Sequence, residues 1–186
     1  MPVLALMMLL AAPPAAQDPV VAAAFDHFYN LEFDEAVAEF ELAVRAQPSS
    51  PELHNHVAHA ILYREMLRSG ALESELVTGS NPFLRRGRMD PSAQDERRFD
   101  ASINRAIELA QARLSRDPGD VTAMYTLGVS HGLRANFNFL VRKAWRDSLR
   151  DATAARKLHN RVTELDPRFI DARLLQGVHD YVVGSL

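Results

Sequence analysis

The fold is decided by Asp117-Pro-Gly-Asp-Val-Thr-Ala-Met-Tyr-Thr-Leu-Gly-Val-Ser-His-Gly-Leu133, which reads as a helix end, a turn and a new helix. Pro118 ends the first helix, because proline lacks an N–H and clashes with the carbonyl four residues earlier. Asp120 is predicted to cap the helix that follows the turn. Gly128 has no side chain, so we expect a neighbouring helix to approach closely there.

Small residues recur at two fixed distances from three prolines. Twelve residues before each proline stands an alanine, and ten residues after it stands an alanine or a glycine. The prolines are Pro48, Pro118 and Pro167, and the small residues are Ala36, Ala106, Ala155, Ala58, Gly128 and Gly177. Self-similarity of this kind indicates a repeat array in which each helix pair buries its apolar face against the next.

The spacing resembles that of the tetratricopeptide repeat family, whose repeats carry small residues and a proline at fixed positions. The matching residues are Ala24, Ala36, Phe40, Ala43 and Pro48 in the first repeat and Leu127 and Gly128 in the third. The resemblance implies an all-α fold, a helix-turn-helix repeat solenoid wound into a superhelix. It also implies a concave groove lined by the first helix of each pair, which in this family receives proteins or peptides.

The repeats are longer than the family's. Pro48 and Pro118 are 70 residues apart and Pro118 and Pro167 are 49 apart, against a repeat of about 34 residues. We therefore predict one repeat domain over 17–186, with repeats at about 17–50, 51–120 and 121–169 and a partial repeat at 170–186. The excess is assigned to inserts at 69–92 and 134–143, between the two helices of a pair.

Periodic apolar residues and capping signals predict helices at 18–30, 33–46, 51–68, 93–116, from 121, and at 144–165 and 168–184. The two inserts share a short pattern, Phe83-Leu84-Arg85-Arg86 and Phe139-Leu140-Val141-Arg142. Either both inserts fold back over the groove, or each packs on its own helices. The last helix ends in Tyr181-Val-Val-Gly-Ser-Leu186 without a polar partner helix. This predicts a continuation of the chain or a partner at that end.

Residues 1–16 are apolar and small, and the apolar run is too short to cross a bilayer. It resembles the apolar region of a secretory signal with cleavage near Ala15 or Ala16, which predicts export to the periplasm or cell envelope. The alternative is an unstructured Ala/Pro arm. No transmembrane segment is expected beyond it.

Composition excludes several classes of function. The chain has 21 basic and 24 acidic residues and a net charge of −3, which favours neither nucleic acid nor an anionic membrane as partner. The absence of cysteine excludes disulfides, zinc–thiolate sites, a thiol nucleophile and a lipoprotein anchor. No phosphate-binding loop, Gly-x-Ser-x-Gly or paired-carboxylate motif occurs. We therefore predict no catalytic residue, no cofactor and no enzymatic activity.

The resemblance places six residues on the concave groove as the partner-binding surface. They are Asn55, His59 and Tyr63 in the second repeat and Tyr125, Val129 and Leu133 in the third. The same residues could instead simply pack or face solvent. The surface is mixed aromatic and polar, as is common where peptides bind.

A histidine cluster supplies an alternative function. His54, His56 and His59 lie within six residues, and neutral imidazoles can hold zinc. The zinc-protease motif needs histidines four apart, whereas His56 and His59 are three apart. We expect no metal here. The alternative is a metal-dependent or enzymatic module that uses this cluster or a domain beyond Leu186.

Overall fold

A computed structural model describes residues 18–72, 89–174 and 177, and every regular element in them is helical. The elements are α1 (Pro19–Tyr29), α2 (Phe33–Ala46), α3 (Pro51–Arg68), α4 (Ala93–Arg116), α5 (Val121–Phe137), a π-helical turn (Asn138–Arg142) and α6 (Trp145–Leu165). A further helical turn covers 170–174. The predicted all-α class is therefore confirmed. The signal at 1–16, the pattern at 83–86 and the chain end at 181–186 lie outside the described residues.

The helices begin where the capping residues predict. Ser50 Oγ accepts a hydrogen bond from the Leu53 N–H at 3.4 Å, and α3 starts at Pro51. Asp120 Oδ1 accepts one from the Ala123 N–H at 2.8 Å, so α5 starts at the next residue. Each cap satisfies an N–H that the first turn of a helix leaves without an internal partner. Local chemistry thus fixes the phase of each helix, and with it the face that each helix buries.

Consecutive helices pack on one another from α1 to α6, and α3 also packs on α5. The larger core cluster joins α1–α5 and the π-helical turn; its aromatic members are Phe28, Phe33, Phe40, Phe99 and Phe137. A second, smaller cluster joins α5, α6 and the turn after α6 through Met124, Val162 and Ala172. Packing in chain order is what a helix-pair array requires. The superhelical winding stays a prediction.

Five of the six recurring small residues are buried. Ala36, Ala58 and Ala106 have no exposed surface, and Ala155 and Gly128 are also buried. Gly177 differs, because it is exposed and no described atom lies within 4 Å of where its Cβ would stand. The repeated spacing therefore coincides with buried positions at five of its six small residues.

Helices α5 and α6 approach each other closely at Gly128. A Cβ at Gly128 would overlap the His159 imidazole on α6, with Cδ2 at 2.8 Å and Cε1 at 3.1 Å. That ring is only 3% exposed, so it has little room to move aside. The predicted close approach at Gly128 is confirmed.

Gly128→Ala is expected to lower the free energy of unfolding by about 1–3 kcal/mol, because overpacking a filled contact strains its neighbours. Gly132→Ala is the matched control on the same helix, since no atom lies within 4 Å of its would-be Cβ. The control should gain up to about 1 kcal/mol, because alanine favours helix over glycine. Urea unfolding midpoints measure both changes. Equal shifts in the same direction would contradict the contact.

The predicted insert at 134–143 is wrong. Helix α5 continues to Phe137, which is completely buried and stacks on Phe99 with ring centroids 3.9 Å apart. The π-helical turn then buries Leu140 and Val141. Arg142 Nη2 donates to Asp100 Oδ2 on α4 at 2.6 Å. These residues therefore pack on their own helices and do not cover a groove.

Candidate functional site

A cavity of about 570 Å³ opens where the α1–α2 turn meets the C-terminal half of α3. Its walls are mostly aromatic or aliphatic, and they include Phe28, Tyr29, Leu31, Phe33, His59 and Tyr63. Two of the six predicted groove residues, His59 and Tyr63, thus lie together in one concave surface. A mostly apolar cavity with a few polar groups is the common form of a ligand-binding surface.

The turn that forms one wall of the cavity holds Leu31 in a left-handed conformation, with φ 65°. A non-glycine residue rarely adopts this conformation and is strained in it. The surrounding hydrogen bonds hold it there: the Leu31 N–H donates to the Phe28 carbonyl at 3.2 Å, and the Glu32 N–H donates to the His27 carbonyl at 2.9 Å. The strained turn presents a leucine that is 54% exposed at the cavity rim.

The cavity floor is an aromatic cluster without charge at neutral pH. The His59 ring lies 4.8 Å from Phe28 and 4.5 Å from Tyr63, measured between centroids. Burial, with a contribution from the neighbouring His56, lowers the pKa of His59 to about 4. Neutral imidazole and phenol edges combine apolar contact area with polar atoms. Such a floor suits an apolar or aromatic side chain with one hydrogen-bonding group.

Asn55 does not line a groove, contrary to the prediction. Its side chain is 3% exposed and joins two helices: Nδ2 donates to the Thr126 carbonyl at 3.0 Å. Ser130 Oγ in turn donates to Asn55 Oδ1 at 2.8 Å. A buried amide needs such partners to offset its desolvation. Asn55 therefore fixes the α3–α5 contact, and its polar atoms are occupied.

The three predicted groove residues on α5 lie in two different clusters. Leu133 is buried in the larger core, and Val129 packs against that core partly buried, so Leu133 is a packing residue and its assignment to the groove is wrong. Tyr125 belongs to the smaller cluster, where its ring lies 5.5 Å from His159 and 4.8 Å from Phe169. Tyr63 and Tyr125 therefore do not share one hydrophobic cluster.

The three clustered histidines have separate surroundings. His54 Nε2 lies 3.0 Å from the Pro48 carbonyl oxygen. His56 packs between aromatic rings, 4.9 Å from Phe25 and 5.2 Å from Phe40, and burial lowers its pKa to about 4. His59 belongs to the cavity. Within the described ranges no group of three His, Cys, Asp or Glu side chains is arranged to hold a metal ion. This geometry gives no support to the alternative of a histidine-bound metal.

The sequence reading missed a buried carboxylate between α5 and α6. Arg134 donates to both oxygens of Asp151, from Nε at 2.9 Å and from Nη2 at 2.7 Å, and His131 Nδ1 lies 3.0 Å from Asp151 Oδ1. Burial alone would raise the pKa of Asp151, but the hydrogen bonds from Arg134 and His131 outweigh it and lower that pKa. Both carboxylate oxygens of Asp151 accept hydrogen bonds, so the cluster holds α5 and α6 together.

A second charge cluster, centred on the buried Arg64 and Asp95, joins α3 to its neighbours. Arg64 Nη1 donates to Asp34 at 2.7 Å and its Nη2 to Asp95 at 2.5 Å. Burial alone would raise the pKa of Asp95; the Ser92 hydroxyl and Arg64 outweigh it and lower that pKa. Removing one partner of a buried ion pair leaves an uncompensated charge, so these residues hold helices in place. Sequence spacing does not predict either charge cluster, because the paired residues come from different helices.

Comparison with known proteins leaves the class open. No protein-family model matches this chain, and no curated protein matches it. None of the described helices combines the length and apolar character that crossing a membrane requires. In the part of the chain that the structure describes, the fold is all-α and carries an aromatic surface cavity.

Proposed function

We propose that this chain is a tetratricopeptide-type interaction scaffold of the cell envelope that binds a polypeptide partner through a groove on its first helices. The observation that supports the proposal is the aromatic cavity beside α3, with Tyr29 76% exposed and Leu31 54% exposed at its rim. Large apolar side chains at the rim of a preformed cavity are typical of surfaces that receive a partner.

The cavity suits a polypeptide anchor better than a charged ligand. Its described lining residues carry no ionic side chain, and its only imidazole, that of His59, is neutral at neutral pH. An aromatic or aliphatic side chain of the partner would fill it, while exposed charges near the rim, such as Glu32 and Arg68, would contact the partner's backbone or flanking residues. Binding energy in such interfaces concentrates in a few buried anchors.

The envelope location rests on the apolar segment at 1–16, which resembles a secretory signal. A partner at the end of the chain is a further part of the proposal. There Ile170 and Leu174, four residues apart on one helical face, are both largely exposed. Residues at that spacing lie side by side on a helix.

Selection from a displayed library of random peptides tests the proposal. Peptides enriched on the wild-type protein are expected to share an aromatic or aliphatic anchor. They should bind a few-fold to about tenfold more weakly to Leu31→Gly, because this change removes an exposed apolar side chain at the rim, where a contact contributes up to about 1.4 kcal/mol. Glycine suits the left-handed turn, so this variant should keep its fold.

Leu165→Ser, an exposed leucine at the end of α6, is the matched control and should bind the peptides like wild type. Peptides that bind Leu31→Gly and wild type equally, or no enrichment over many rounds, would contradict the proposed binding surface. A direct test with Tyr63→Ala is less clean. The Tyr63 ring contacts Phe28, Phe33 and His59 within 6.3 Å, so its loss is expected to cost stability as well.

A further inference from the structure

The exposed face of α6 is a stripe of cations around an exposed leucine. The stripe follows the helical period and consists of Arg146, Leu149, Arg150, Thr153 and Lys157, which line a shallow furrow along the helix. Arg150 pairs with Asp147 at 2.9 Å, whereas neither Arg146 nor Lys157 has an ion pair with a described residue. Further along the helix, Glu164 is engaged by Arg161 at 2.9 Å. The cations of this face are therefore only partly compensated.

The exposed face of α2 carries the opposite charge. Glu35 and Glu39 stand four residues apart, beside the exposed Leu42, and neither carboxylate has an ion pair with a described residue. The pKa of the adjacent His27 is raised, first by its hydrogen bond to Glu32 and then by the negative charges of Glu32, Glu35 and Glu39. Glu35 and Glu39 thus lie close enough to His27 to favour its protonated form.

The two faces are opposite in charge and alike in the spacing of their charges. Each carries two like charges four residues apart, and each adds an exposed leucine: Leu42 is 46% exposed and Leu149 is 61% exposed. Like charges at this spacing repel along a helix. Bringing the two faces together would add attraction between opposite charges, which offsets part of each repulsion, and would remove two leucines from water.

We propose that the chain associates with a second copy of itself, head to tail, with the exposed α2 face of one copy docked on the exposed α6 face of the next. Within one copy α2 packs on α1 and α3, and α6 packs on α5, so the two faces point outward at different parts of the molecule. A contact between different surfaces does not close on itself in a dimer, and it leaves one face of each kind open at the ends. Chains of copies are therefore expected.

A second copy suits the α6 face better than other occupants do. The chain has a net charge of −3, so the cationic α6 face of one copy is attracted to the other copies as a whole. The acidic α2 face carries carboxylates at the same four-residue spacing as the α6 arginines. The charged headgroups of a lipid surface have no such fixed spacing. One helix-on-helix contact buries less than the roughly 1,200 Å² of a stable interface. The association is therefore weak and depends on salt.

Sedimentation equilibrium of the whole chain tests the proposal. The weight-average mass is expected to rise with protein concentration in about 0.01 M salt and to return to the monomer value in about 0.5 M salt, where charges are screened within a few ångströms. Reversing either face alone, with Glu35→Lys and Glu39→Lys or with Arg146→Glu and Arg150→Glu, should leave a monomer at both salt concentrations. The variant with all four changes should associate again like wild type.

A matched control changes charge away from both faces. Asp90→Lys with Glu108→Lys alters the net charge by +4, as the α2 reversal does, at two exposed positions outside both faces, and should still associate. A wild-type chain that stays monomeric in low salt, or a fourfold variant that fails to associate, would overturn the proposal. So would binding to phosphatidylserine vesicles that is lost with the α6 reversal, kept with the α2 reversal and accompanied by no rise in mass.

Discussion

The free energy of unfolding is expected to fall by several kcal/mol as the pH is lowered from about 6.5 to about 4. Burial is the main cause that lowers the pKa of His56, His59 and His159 to about 4 in the folded chain. Glu52 opposes it at His56 and the Tyr125 backbone opposes it at His159, whereas His56 contributes to it at His59. Histidine in an unfolded chain titrates near about 6.5.

The sign follows from the order of these two values. Because the folded-state pKa lies below the unfolded one, the unfolded chain binds more protons between the two values. The stability that these neutral, partly or fully buried imidazoles contribute is therefore fully present above about pH 6.5 and is lost as the pH falls toward 4. Each histidine contributes up to about 1.4 kcal/mol per pH unit, so the three together give up to about 4 kcal/mol per unit.

Urea unfolding at a series of pH values measures this slope directly. Unfolding near pH 5 should take up close to one proton at each of the three sites, and changing one of them to Gln should remove about one proton from the total. The lowered pKa values of Asp95 and Asp151 reduce the free energy of unfolding only at more acidic pH. The raised pKa of His27 has the opposite effect, because it increases the free energy of unfolding as the pH falls. A stability that is flat from pH 7 to 4.5 would contradict the burial of these imidazoles.

Phe40→Ala is expected to lower the free energy of unfolding by about 3–5 kcal/mol, because it removes a large ring from the core and leaves a cavity. Phe40 is 1% exposed, and its ring lies 5.1 Å from Phe25 and 5.2 Å from His56. A loss of this size approaches the whole stability of many domains of similar length. The thermal midpoint followed by circular dichroism is the simplest measurement.

Tyr29→Ala is the control, because Tyr29 is largely exposed and an exposed side chain usually changes stability by less than about 0.5 kcal/mol. If Phe40→Ala and Tyr29→Ala melt at the same temperature, the apolar faces of α1 and α2 have been assigned the wrong way round. A melt that is lowered only for Phe40→Ala supports the packing of the first helix pair.

Helix bounds were predictable because they depend on neighbours in sequence. The predicted α2 and α4 agree with the structure at both ends, and the Ser50 and Asp120 caps form as expected. The prediction of an insert at 134–143 was wrong, and the sequence itself contains the reason. Leu133, Phe137 and Leu140 continue the helical apolar spacing past the residues read as a loop.

The site was less predictable because its contacts join residues far apart in the chain. Asn55 was assigned to the groove from its position within a repeat, yet its role depends on Ser130, 75 residues later. The left-handed Leu31 could not be foreseen, because leucine has no preference for that conformation. His59 and Tyr63 were both assigned to the groove, and they do lie side by side, because residues four apart on a helix share a face. Partner binding at these residues stays a prediction.

Photo-crosslinking from the cavity rim tests the proposed binding surface most directly. A benzophenone amino acid in place of Tyr29, in protein mixed with a selected peptide, is expected to give a covalent adduct at the peptide's aromatic or aliphatic anchor. The same probe in place of Glu108, an exposed position on α4, should give none. Adducts of equal yield at both positions, or no adduct at Tyr29 under saturating peptide, would contradict a polypeptide-binding surface at this cavity.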